Sequence, residues 1–189
     1  MNKSLLDYTL KIRVPLILFV AAAAFTVTFF VSRAERDSVG YAPEQPIAFS
    51  HKLHAGTMGI DCQYCHTAVT VSRHAGIPSL STCMGCHAVA RKNKPAIVTL
   101  ASAYESGTPI RWKRVHKVPD YAYFNHSAHV NKNIPCTECH GKVENMDVVR
   151  QVSKFTMAAC LECHRNATDL LSHIPGIQNG PDHCNTCHR

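Results

Sequence analysis

Residues 124–140, FNHSAHVNKNIPCTECH, hold the pattern that decides the fold: a phenylalanine, two histidines three apart, then Cys136-Thr137-Glu138-Cys139-His140. Outward from it, Cys-x-x-Cys-His recurs as Cys62/Cys65/His66, Cys83/Cys86/His87, Cys160/Cys163/His164 and Cys184/Cys187/His188. The five motifs use all ten cysteines of the chain. This is the attachment signature of c-type haem.

The spacing has a chemical reason. Residues i, i+3 and i+4 of a helical turn share one face, so two thiols can add to the two vinyl groups while the histidine reaches the iron axially. Zinc also uses Cys-x-x-Cys, but it pairs two such half-sites, and five is odd. Disulfides make no demand on the residue after the second cysteine. The expected cofactors are therefore five haem c, with His66, His87, His140, His164 and His188 as proximal ligands.

The opening stretch also belongs to an internal repeat. Residues 49–87 read Phe49-Ser50-His51-Lys52-Leu53-His54 followed by two haem motifs, and residues 124–164 read Phe124-Asn125-His126-Ser127-Ala128-His129 followed by two more. Each copy is a two-haem unit headed by F-x-H-x-x-H. Residues 88–123 form a connector without cysteine, in which 95–106 suits a helix with Pro95 in its first turn and Gly107 past its end. Residues 165–189 carry the terminal motif.

Thirteen histidines leave eight beyond the motifs, and five irons need at most five of them as distal ligands. His51, His54, His126 and His129 are the foremost candidates, because two imidazoles one helical turn apart can diverge to neighbouring irons. For the fifth, His116 ranks first, His74 second and Met157 third; Met157 aligns with Leu80 of the first copy, which also suits plain packing against a porphyrin. A methionine there would raise the haem potential. His173 and His183 carry weak signals, and the tyrosines and Trp112 are read as packing groups.

The N-terminal part differs in kind. Residues 14–32, VPLILFVAAAAFTVTFFVS, are nineteen residues without charge, enough to span a bilayer as a helix. A cleaved signal would use the small residues at Ala22-Ala23-Ala24, but the apolar run continues to Val31, so an uncleaved anchor is expected. Lys3, Lys11 and Arg13 precede the span, whereas Arg33 and Arg36 are offset by Glu35 and Asp37, which places the N-terminus in the cytoplasm and the haem domain in the periplasm. The division is 1–33 for cytoplasmic N-terminus and anchor, 34–48 for a tether with Gly40, Pro43 and Pro46, and 49–189 for a pentahaem domain. The fold class is one transmembrane helix plus a multihaem cytochrome c domain of short α-helices and loops, with little β and haems as the core.

The formal charge of +7 does not imply nucleic acid, since ten haem propionates would bring the holoprotein to about −3. About 152 residues outside the membrane serve five haems, roughly 30 each, so no conventional core is possible and the apoprotein should not fold.

At F-x-H-x-x-H with paired haem motifs the chain resembles the small trihaem c-type cytochromes. That resemblance implies His51 on the haem of His66 and His126 on that of His140, with His54 and His129 reaching the next haem of each copy. Over nearly its whole length the chain is similar to the membrane-anchored pentahaem subunit of alternative complex III. The residues that carry this are the anchor, the stretch from Gly40 to His51 (GYAPEQPIAFSH), Ser72-Arg73-His74-Ala75-Gly76-Ile77-Pro78-Ser79 and Val115-His116-Lys117-Val118-Pro119-Asp120. It implies quinol oxidation by a complex with an iron–sulfur subunit, polytopic quinol-binding subunits and a monohaem cytochrome c, passing electrons to a periplasmic cytochrome or terminal oxidase.

The leading expectation is an electron-relay subunit with no catalytic residue. A multihaem reductase would need an iron with an open face; the pentahaem nitrite reductases resemble this pattern, but their active motif ends in lysine, and here all five end in histidine. A self-sufficient quinol dehydrogenase would hold its first haem at the membrane surface, yet Cys62 follows Ser32 by thirty residues.

Overall fold

The computed structural model describes residues 7–189 and, for 32–37, the backbone alone. Lys3 and the side chains of Arg33, Glu35, Arg36 and Asp37, which enter the orientation argument, lie outside the described residues. The chain divides into two compact units, Met1–Ser38 and Val39–Arg189.

The described residues of the first unit form one helical run. A π-helical turn, Thr9–Arg13, runs directly into α1, Val14–Asp37. The helix therefore begins before the uncharged run and takes in residues 34–37, which the sequence assigns to the tether. A run dominated by Leu, Ile, Val, Phe and Ala, with Thr26 and Thr28 as isolated hydroxyls, gives no charged stripe, and Phe19 and Phe25 are 72% and 73% exposed. A helix apolar all round is stable in lipid or among other apolar helices. Thr9–Val31 is long and apolar enough to cross a membrane. The Thr26 hydroxyl finds its partner within the helix, donating to the Ala22 carbonyl at 2.8 Å.

The second unit is built of short helices and loops, with no strand among the described residues. In chain order they are a π-helical turn at Lys52–Thr57, then α2 (Cys62–Cys65), α3 (Leu80–His87), α4 (Pro95–Glu105), α5 (His126–Val130), α6 (Cys136–His140), a 3-10 turn at Val143–Asn145, α7 (Met157–Leu170) and α8 (Cys184–Cys187). The connector helix starts on Pro95 at its first position, where the missing N–H costs nothing, and stops before Gly107 at φ +66°. It packs against α3.

Very little of this unit is buried by protein. Among the described residues the apolar core is Ile47, Val69, Leu100, Met146, Ala167, Leu171 and Ile174, too small a set for a domain of this length. The one contiguous patch, Ala167, Leu171 and Ile174 with Ile134, Cys163 and Ile177 alongside, backs α7 where it kinks at Asn166. Val71, Ile77 and Tyr64 stand exposed around the motifs. What holds the chain's course instead is hydrogen bonding to the main chain: Gly40 N–H donates to the Gln151 carbonyl, Gln151 N–H donates to the Tyr41 carbonyl, and the Gln45 side chain bonds both the N–H and the carbonyl of Lys113.

The two copies are joined by contacts between segments distant in sequence. The N–H of Lys52 donates to the Met146 carbonyl at 3.0 Å, and Ser50 Oγ donates to Asp147 at 2.7 Å. Gly56 lies so close to the Glu144 carbonyl that a Cβ there would collide with it. On the other side, Ser127 N–H donates to the Ser72 carbonyl at 3.1 Å and Asn131 Nδ2 to the Thr70 carbonyl at 3.0 Å.

Candidate haem-ligating sites

Each Cys-x-x-Cys pair lies on one helical turn, on α2, α3, α6, α7 and α8 respectively. The ten thiols are free and none forms a disulfide. Caps fix two of these turns: Asp61 accepts from Gln63 N–H ahead of α2, and Thr156 from Ala159 N–H ahead of α7. The histidines follow two patterns. His87, His140 and His164 continue the helix, whereas His66 (φ −99°, ψ 61°) and His188 (φ −116°, ψ 123°) are cap residues outside it. The i, i+4 reading thus holds for three motifs, and the others turn their histidine by a local backbone change.

The F-x-H-x-x-H segments place imidazoles opposite motif imidazoles. Ring centres are 6.2 Å apart for His54 and His87, 6.3 Å for His126 and His140, and 6.0 Å for His129 and His164. A metal bound by one imidazole nitrogen on each side at about 2 Å sets ring centres about 6.3 Å apart. The donor set and the gap thus fit a haem iron in all three places, and His126 and His140 are also parallel to within 3°. His51 lies in the electrostatic field of His66, His54 and His116.

The phenylalanine of the motif has a structural task. Phe49 stacks on His54 at 4.4 Å and meets His51 edge-on at 4.8 Å; Phe124 lies tilted over His129 at 4.6 Å and meets His126 edge-on at 4.8 Å. One ring thereby holds two imidazoles in divergent directions.

Main-chain carbonyls complete the orientation. Nδ1–H of His66 donates to Gly76, of His87 to Ala90, of His164 to Pro181 and of His188 to Tyr121, at 2.7, 3.1, 2.6 and 3.0 Å. His54, His126 and His129 donate likewise to the carbonyls of Ser50, Arg73 and Asn125, each at 2.8 Å. A carbonyl only accepts, so Nδ1 carries the proton and Nε2 keeps its lone pair free for a metal. Gly180 permits this at His164, where a Cβ would stand 2.7 Å from the ring. No sequence signal marks these carbonyls, because every residue type has one.

Burial favours the neutral form of several imidazoles. It pushes His51 down to about 4, helped by His66, and His140 to about 4, helped by His116 and His126; burial also lowers His116 and His129. Neutral imidazole is the ligating form. Burial, then the nearby Cys163, pushes the Cys139 thiol up to about 11.

These patterns have counterparts among known proteins. Residues 122–189 match the family "Cytochrome c7 and related cytochrome c", and residues 28–109 match the class III cytochrome c family. The multihaem cytochrome c subunit of menaquinone reductase from Nitratidesulfovibrio vulgaris is 30% identical over 167 residues, covering 77% of each chain. The chain belongs to the multihaem cytochromes c. Covalently bound haem c is the cofactor of that family, and the multihaem cytochrome's helical, strand-free domain agrees with the expected class.

The remaining candidates fall in different places. His116 packs edge-on against His140 at 4.4 Å and beside Phe155, with its Nε2 buried and unpaired; what lies along His188 in this cytochrome is Tyr121, at 5.8 Å. His74 is exposed, next to the carbonyl that orients His126. Met157 is exposed at the first position of α7. His173 meets Glu138 at 3.3 Å.

Proposed function

We propose that the chain is the membrane-anchored electron-relay subunit of a quinol-oxidising complex of the alternative complex III kind, holding five haem c. The observation that carries this reading is the set of facing imidazoles, His54/His87, His126/His140 and His129/His164, each at bis-histidine separation. Bound haem supplies a one-electron iron couple. At these three sites both axial positions are filled from the chain and no face is open to substrate, which argues for relay over reductase chemistry. By the resemblance of the copies, His51 serves the haem of His66. The Cys pairs fix the five porphyrins, the carbonyl bonds hold the Nδ1 proton of seven of these imidazoles, and the phenylalanines set the angle between paired ligands. His116 is the proposed fifth distal ligand, ahead of His74 and Met157.

In this reading α1 anchors the subunit with its haem domain in the periplasm, beside an iron–sulfur subunit, polytopic quinol-binding subunits and a monohaem cytochrome c. A second direction of flow is favoured by one observation: the relative from Nitratidesulfovibrio vulgaris is a subunit of a menaquinone reductase, which would run electrons toward the quinone. The test is to purify the complex through this subunit. Mass and haem stoichiometry should give five haems, low-spin in magnetic spectra. The complex should reduce a periplasmic cytochrome with quinol; reduction of quinone from a reduced cytochrome, without the forward reaction, would select the opposite direction. Quinol oxidation by the isolated subunit in lipid would sink the relay reading.

A further inference from the structure

The order of the motifs along the chain need not be their order in space, and the contacts between segments differ from it. His51 and His54 lie on one turn, and His54 faces His87, so the first and second sites adjoin. His126 and His129 on α5 face His140 and His164, so the third and fourth adjoin. His164 donates to the Pro181 carbonyl and accepts Gly180 N–H at 2.7 Å on its own, just ahead of Cys184, so the fourth adjoins the fifth.

The junction between copies is the informative one. Sequence order would require the second site to meet the third. Among the described residues, however, the main-chain hydrogen bonds in 79–108 outside its helices stay within that segment. It is the surroundings of the first site that reach the third. The Arg73 carbonyl, seven residues after His66, takes both the N–H of His126 and its Nδ1–H. The turn at Lys52–Thr57 packs on the turn at Val143–Asn145 that follows His140. Cys62 also sits beside Cys136, Cys65 beside Cys83, and Cys160 beside Cys187.

We propose that the haem sites run in space as second, first, third, fourth, fifth, so that electrons pass between the copies from first site to third, and the ends of the relay lie at His87 and His188. This rests on the five-haem reading above. It assigns partner contacts to the α3 end and the α8 end, with the first site internal although it comes first in the chain.

The test uses the full-length holoprotein in detergent. His126→Met gives the third haem a methionine ligand and a separate redox step at higher potential. Its midpoint is then measured after removing the first haem (Cys62→Ala with Cys65→Ala) or the second (Cys83→Ala with Cys86→Ala). A near charge perturbs a redox site more than a distant one. Loss of the first haem should move the third haem's midpoint about threefold further than loss of the second. An equal or larger movement on losing the second overturns the order. Should a deletion fail to fold, His51→Met and His54→Met keep both haems attached, and the same ranking applies to them. Mass spectrometry separates the two readings: five haems with the reverse ranking sinks the order, whereas fewer than five sinks the reading beneath it.

Discussion

The two copies of F-x-H-x-x-H share their internal geometry and differ in what surrounds it. In both, a phenylalanine lies over the second histidine, stacked in the first copy and tilted in the second, and meets the first histidine edge-on, and the second histidine donates Nδ1–H to the carbonyl four residues back. The second copy forms an α-helix capped by Asn125, which accepts from Ser127 N–H; the first forms a π-helical turn after His51. His126 has a carbonyl supplied by the first copy, whereas His51 Nδ1 is buried without a partner. The frame repeats and the docking does not. A duplicated unit thus supplies one histidine's orienting contact to its twin, which makes the pair one assembly.

If the copies are interlocked there, loss of a site at the junction should cost far more than loss of one at the end. Cys136→Ala with Cys139→Ala should lower accumulation of folded, haem-loaded protein several-fold or more, while Cys83→Ala with Cys86→Ala should leave a folded four-haem protein. Haem content and resistance to protease distinguish the two outcomes.

Gly56→Ala attacks the same junction without touching a haem motif. The new methyl would run into the Glu144 carbonyl, so unfolding of the holoprotein should be easier by about 1–3 kcal/mol. Thermal denaturation followed in the haem absorbance measures it.

The asymmetry of the first histidines gives a sharper contrast. His51→Met and His126→Met should each raise one haem's potential, on the order of 0.1 V within the ~0.8 V span that axial ligands command. Stability should separate them: His126→Met removes the side-chain one of the two donors to the Arg73 carbonyl, a loss of about 1 kcal/mol, whereas His51→Met removes a nitrogen that has no partner. Redox titration and denaturation of both variants, side by side, check this.

The smallest effect is expected at the surface. The Ser50 hydroxyl, and then Lys52, hold the Asp147 carboxyl below its ordinary 3.8. Its folded value is the lower one, so its contribution is present above 3.8 and is lost as pH falls through the depressed value. Asp147→Asn should flatten that part of the acid limb in a pH series of unfolding midpoints, and leave the neutral range unchanged.

Much of this was legible because it is local. Cys-x-x-Cys needs only a helical turn, Pro95 and Gly107 bound their helix by their own backbone preferences, and the apolar run sets α1. The two F-x-H-x-x-H segments were legible through repetition, and in the structure their second histidines, His54 and His129, lie opposite His87 and His164. What could not be read depends on the path of the chain between motifs. The extension of α1 to Asp37, the π-helical turn after His51, the departure of His66 and His188 from their helices, and the place of His116 beside His140 follow from tertiary contacts. No residue pattern encodes the meeting of Gly56 with Glu144, far along the chain.

Seven ligand-candidate imidazoles are aimed by main-chain carbonyls, supplied by residues as unlike as Gly76, Ala90, Arg73, Pro181 and Tyr121. Side-chain replacement cannot delete a carbonyl. The settings of this relay are therefore insulated from most point mutations and exposed to insertions, deletions and prolines, so its tolerance of change should be read in loop length rather than in residue identity.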